Sequence, residues 1–77
     1  MNKINELDLV ALKKNFEDKN LYLSVGTVGT VVYKYGGSKA FEVEFVNASG
    51  ATVGTMTLKP SDIRPLRQTD MLYVRHS

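Results

Sequence analysis

Residues 41–46 read Phe41-Glu42-Val43-Glu44-Phe45-Val46. Apolar and charged side chains alternate with a period of two, so Phe41, Val43 and Phe45 share one face and Glu42 and Glu44 the other. That pattern predicts a half-buried antiparallel strand with its aromatic face on a core. Just upstream stands Val25-Gly26-Thr27-Val28-Gly29-Thr30-Val31-Val32-Tyr33-Lys34-Tyr35. Its β-branched and aromatic residues suit a pleated surface and predict a second strand over residues 25–35. Gly36-Gly37-Ser38 lies between them and tolerates the positive φ of a tight turn.

The same reading extends outward in both directions. Downstream, residues 47–50 supply another turn, and a strand is expected over 51–59. Pro60-Ser61-Asp62 stops it, because proline cannot donate to a strand ladder. Residues 63–66 form a last short strand, which Pro65 confines to an edge or a barrel seam. Upstream, Leu7-Asp8-Leu9-Val10-Ala11-Leu12 is read as a strand, since a lone short helix would find little sheet to pack on. Residues 13–24 are a long polar first loop with its tip at 18–20, anchored to the core by Leu21 and Leu23. Five short strands with tight turns predict an all-β domain, closed or nearly closed into a small barrel that hides its edges. Gly26, Gly29 and Gly54 mark its bends. The predicted core is Val10, Leu12, Val31, Phe41, Val43, Phe45, Leu58 and Ile63. Residues 1–6 form an N-terminal segment, 7–66 the barrel and 67–77 a C-terminal extension.

Length and composition bound the function. Seventy-seven residues allow one domain with a thin stability margin. There is no cysteine, hence no disulfide or thiolate metal site, which fits a reducing, cytoplasmic setting. No apolar run is long enough to cross a membrane, and the first eight residues lack a signal-peptide h-region. Ten Lys and Arg against eight Asp and Glu give a net charge of +2, short of the dense basic stripe of a dedicated nucleic-acid binder.

The segment 25–32 resembles the opening of a KOW-type SH3-like barrel. Residues 8–66 more closely resemble an uncharacterised bacterial family of small SH3-like barrel proteins, sometimes carried on mobile gene cassettes. The resemblance rests on Asp8-Leu9-Val10-Ala11-Leu12, Val25-Gly26-Thr27-Val28-Gly29-Thr30-Val31-Val32, Phe41-Glu42-Val43-Glu44-Phe45-Val46 and Ile63-Arg64-Pro65-Leu66, in that order. It implies an SH3-like fold and a compact stand-alone protein; joined to the strand reading above, the expected fold is a small five-stranded SH3-like barrel with a long first loop and a short C-terminal extension. No established activity comes with it, and so no functional residues. The chain departs from a proline-rich-peptide-binding SH3 domain in having no tryptophan and no acidic first loop beside one.

The inventory argues against catalysis. The one histidine, His76, stands next to the last residue, where no base is held reliably within reach of a substrate. Glu42 and Glu44 read as the solvated outer face of a sheet, and offer too few oxygens for a cation. Gly26-x-x-Gly29 lacks the Lys-Ser/Thr and the helix of a phosphate loop. No cofactor and no metal is expected.

Binding candidates remain. Tyr33 and Tyr35 share one face, with Lys34 on the other. The plainer expectation buries one or both rings in the core with wet hydroxyls; the alternative is an exposed pair that seats a peptide or stacks on a base. Lys13, Lys14 and Lys19 sit in the first loop; Arg64, Arg67 and Arg75 lie near the C-terminus. Solubilising charge is the plainer role for both groups. Met71-Leu72-Tyr73-Val74 is an apolar run that needs cover, from the barrel or from a second copy in a homodimer. The function expected is a non-enzymatic protein-binding module, small and accessory or regulatory. The alternative is a KOW-like barrel that binds nucleic acid weakly.

Overall fold

The computed structural model describes residues 4–18, 21–47 and 49–66. Among these residues seven strands run in chain order: β1 (Leu9–Leu12), β2 (Phe16–Asp18), β3 (Leu21–Leu23), β4 (Val28–Tyr35), β5 (Ala40–Val46), β6 (Thr52–Leu58) and β7 (Ile63–Pro65). A 3-10 turn, Pro60–Asp62, precedes β7. The domain is all-β, as its alternating pattern requires.

Five strands form an antiparallel sheet in the order β6-β5-β4-β1-β7, and β2 pairs with β3 in a separate hairpin. Two expectations are thereby corrected. The sheet is not closed into a barrel, because β6 and β7 are its two edges and do not pair with each other. The stretch 13–24 is not simply a loop either. It holds the β2–β3 hairpin; Leu21 and Leu23 anchor it to the core as expected, and Phe16 packs against the core as well. A hairpin covers core that ladder closure would otherwise have to hide. Pro65 lies on edge strand β7, opposite Val10, where its missing N–H disturbs no second neighbour.

The core holds all eight expected residues, with Phe41, Phe45, Leu12, Val10, Val31 and Val43 the largest fully buried side chains. Ile4, Leu23 and Met56 join them. On β5 the alternation is followed to the letter: Phe41, Val43 and Phe45 are buried, Glu42 and Glu44 half-buried. Gly36, Gly37 and Ser38 all take positive φ in the turn after β4, and the Ser38 and Lys39 amides both donate to the Tyr35 carbonyl.

The expected bends are redistributed. Gly26 stands in the turn before β4, not in a strand. Gly29 lies opposite Val10 and makes room for the core: a Cβ there would sit 2.6 Å from Val43 Cγ1 and 2.7 Å from Phe45 Cε1. The register shifts occur between Val31 and Tyr33 on β4, away from any of these glycines, and, across β5 and β6, between Phe45 and Val46, directly beside Gly54 as expected of it. Val32 is the extra residue in the first, and it decides where the tyrosines point.

Candidate functional site

Cross-strand partners share a face, so the register lays out the outer surface in rows. Tyr33, Glu42 and Thr57 form one row across β4, β5 and β6; Thr30, Glu44 and Thr55 form the next. Without Val32, period two would place Tyr33 and Tyr35 on the same side as buried Val31. The bulge inverts that parity. Both rings are exposed, Tyr33 at 52% and Tyr35 at 42%, which corrects the expectation of core packing. They meet edge to face with centroids 4.7 Å apart. Lys34 pairs with Phe41 and so faces the other way, as its place between the tyrosines predicts.

Hydrogen bonds hold this face in place. Thr57 Oγ1 donates to Glu42 Oε1 at 2.6 Å, and the Tyr35 hydroxyl reaches the same oxygen at 3.4 Å. Thr52 Oγ1 donates to Glu44 Oε2 at 3.1 Å. Lost solvation, then the charge and hydrogen bond of Glu42, raise the Tyr35 hydroxyl above its ordinary pKa of 10. The phenol is therefore a donor at neutral pH, and the outer face combines aromatic surface with negative charge.

Among the described basic candidates, Lys13, Lys14 and Arg64 do not gather around the tyrosines. Lys13 and Lys14 follow the C-terminal end of β1, whose Leu12 amide bonds to the Thr27 carbonyl at the opposite end of β4. Arg64 lies on β7 opposite Ala11, half-buried. The Lys13 amide bonds to the Asp62 carbonyl at 2.8 Å, so the first-loop lysines and β7 do approach each other. They form a group separate from Tyr33, Lys34 and Tyr35. Lys19, Arg67, Arg75, Met71, Leu72, Tyr73 and Val74 lie outside the described residues.

Lys14 has a partner within the fold. Its Nζ lies 3.0 Å from Asp62 Oδ1 and 5.9 Å from the centre of the Phe16 ring. Asp62 is 4% exposed, and its Oδ2 accepts the Lys59 amide at 2.9 Å. Burial by itself would raise this carboxyl. The Lys59 amide and the Lys14 ammonium outweigh it and hold the group below 3.8. Asp62 therefore clamps the turn between β6 and β7. Sequence reading gave Pro60-Ser61-Asp62 only the role of a stop; a carboxylate two residues after a proline at a turn start was the available signal.

A second feature escaped the sequence altogether. A groove of about 410 Å³ runs between β2 and edge strand β6, lined by Phe16, Glu17 and Asp18 on one side and by residues 55–58 with Glu42 on the other. A smaller one, about 270 Å³, lies among Leu7, Asp8, Leu9, Pro65 and Leu66. Among the described residues no buried side-chain polar atom lacks a hydrogen-bond partner, and no three His, Asp or Glu side chains gather as metal ligands. None of the described helices is long and apolar enough to cross a membrane.

No curated protein and no solved structure matches the chain. The profile of a domain of unknown function, DUF4926, matches residues 6–65, a span that runs from just before β1 to the end of β7. The chain belongs to the DUF4926 family.

Proposed function

We propose that this protein is a non-enzymatic protein-binding module on an SH3-like scaffold, a small accessory or regulatory protein of the cytoplasm. The observation that carries the reading is the outward Tyr33–Tyr35 pair, with Tyr35 anchored by Glu42. Tyrosine supplies large, amphipathic contact area at low rotamer cost, which is why it is enriched at the centres of protein interfaces. The order β6-β5-β4-β1-β7, with first strand beside last and a 3-10 turn before the last, supports the SH3-like part. The KOW-like likeness of residues 25–32, bacterial origin and carriage on a mobile gene cassette belong to the same reading. So does a homodimer through Met71, Leu72, Tyr73 and Val74, for which deletion of 68–77 is expected to turn a dimer monomeric.

The face favours protein over nucleic acid. A phosphate backbone approaching Tyr33 and Tyr35 would meet Glu42 and Glu44, while Lys34 faces away and Lys14 is paired with Asp62. The test is capture by photo-crosslinking from nuclease-treated lysate, then titration of the purified partner. Replacing Tyr33 and Tyr35 together by alanine is expected to weaken that affinity at least tenfold without unfolding the domain. Equal affinity for the double variant would remove the tyrosine pair from the interface and the reading with it.

A further inference from the structure

We propose that the groove between β2 and β6 receives an extended, basic segment of a partner protein, added to the sheet as a strand beside β6. This deepens the protein-binding reading and rests on it, by naming the chemistry of the partner. The first ground is the edge itself. Among the described strands β6 pairs only with β5, so its other side presents backbone N–H and C=O groups to the groove. Exposed edges are normally blunted by lysine, proline or a bulge. Here those devices stand at the two ends: the register shift falls between Thr52 and Gly54, and Lys59 and Pro60 come after the strand. Residues 55–58 between them keep regular pairing with 41–44. Four residues span about 13 Å, room for a segment of about four to six residues.

The second ground is the chemistry of the walls. An added strand would turn alternate side chains to opposite sides. One side meets Phe16, Met56 and Leu58, an apolar shelf continuous with the core. The other meets Thr55, Thr57 and Glu42 of the outer face. Glu17 and Asp18 line the opposite wall, so three carboxylates border the groove, and among the described residues no Lys or Arg lines it. The nearest cation placed by a contact, Lys14 over the Phe16 ring, is engaged by Asp62. Charge complementarity therefore selects an occupant in which Lys or Arg alternates with Val, Ile or Leu. Glu42 joins the groove to the tyrosine pair through Tyr35, so one partner can cover both.

The probe is a fluorescent six-residue peptide of alternating lysine and valine, titrated into the full chain with amide shifts followed by NMR. Saturable binding is expected, with the largest shifts at residues 16–18 and 55–58. Replacing the lysines by glutamate, or N-methylating alternate peptide amides, is expected to weaken it at least tenfold. The triple variant Glu17→Gln, Asp18→Asn, Glu42→Gln is expected to do the same and to flatten the salt dependence, its fold being checked by unchanged shifts of buried core amides. Shifts centred elsewhere, equal affinity for the acidic peptide, or tolerance of N-methylation each overturn the proposal. So does binding that appears only after residues 67–77 are removed, which would assign the groove to the chain's own C-terminal segment. Loss of partner affinity on replacing Tyr33 and Tyr35, together with any of these failures, leaves the protein-binding reading intact and removes only the strand-addition site.

Discussion

At the scale of single residues, two side chains matter most to stability, for different reasons. Phe45 is 1% exposed and packs beside Gly29, whose missing Cβ leaves space for its ring. Phe45→Ala is expected to cost about 3–5 kcal/mol, measured by urea unfolding. Wild-type stability in that variant would mean that β5 buries its other face. Asp62 acts through polar contacts: its carboxylate holds the Lys59 amide and the Lys14 ammonium at the turn into β7. Asp62→Ala is expected to cost about 1–3 kcal/mol at neutral pH, because it strands a partly buried amide. The folded-state pKa of Asp62 is depressed, so its contribution is present above the unfolded value near 3.8 and is lost as pH falls through the lower folded value. The gap between wild type and Asp62→Ala should therefore close below about pH 4. A gap that persists into strong acid would show that the charge of Asp62 contributes nothing.

At the scale of elements, β4 is the strand on which most depends. Its first half turns Gly29 and Val31 inward; after the bulge at Val32 its second half turns Tyr33 and Tyr35 outward. Replacing either tyrosine by alanine is expected to cost about 1 kcal/mol or less, the scale of one cross-strand aromatic contact. A loss of 3 kcal/mol or more at either position would mean that the strand continues without its bulge and that the ring is core. Gly29→Ala tests the inward half. The added methyl meets Val43 and Phe45 well inside van der Waals contact, and a loss of about 1–3 kcal/mol is expected. Substitution without cost would place the β4–β5 packing differently.

At the scale of the whole molecule, charge is sorted by position more than by total. Among the described residues, carboxylates border the tyrosines and the β6 groove, while Lys13, Lys14 and Arg64 gather where β1 meets β7. Oligonucleotides titrated in low salt are accordingly expected to bind weakly, without sequence preference, and to be released by modest salt. Micromolar, sequence-selective binding would reverse the ranking of protein over nucleic acid. Among the described strands the sheet is left open at β6, and an open edge is a means of association as well as a hazard.

The sequence alone determined the all-β class, the eight core positions named from it and the turn at Gly36-Gly37-Ser38. Each of these follows from local rules: period-two alternation, β-branched enrichment, and positive φ where glycine stands. It also limited Pro65 to an edge or a barrel seam, since a missing N–H is a local fact. The tertiary structure decided three things. Val32 bulges and turns Tyr33 and Tyr35 to solvent, because one unpaired residue inverts every later side chain and register is a property of two strands. Asp62 gained its ion pair only when the segment after β1 brought Lys14 beside it, a contact between residues 48 positions apart in the chain. The groove exists because β2 folds beside β6 while the sheet stays open, and its walls come from segments that no local pattern relates.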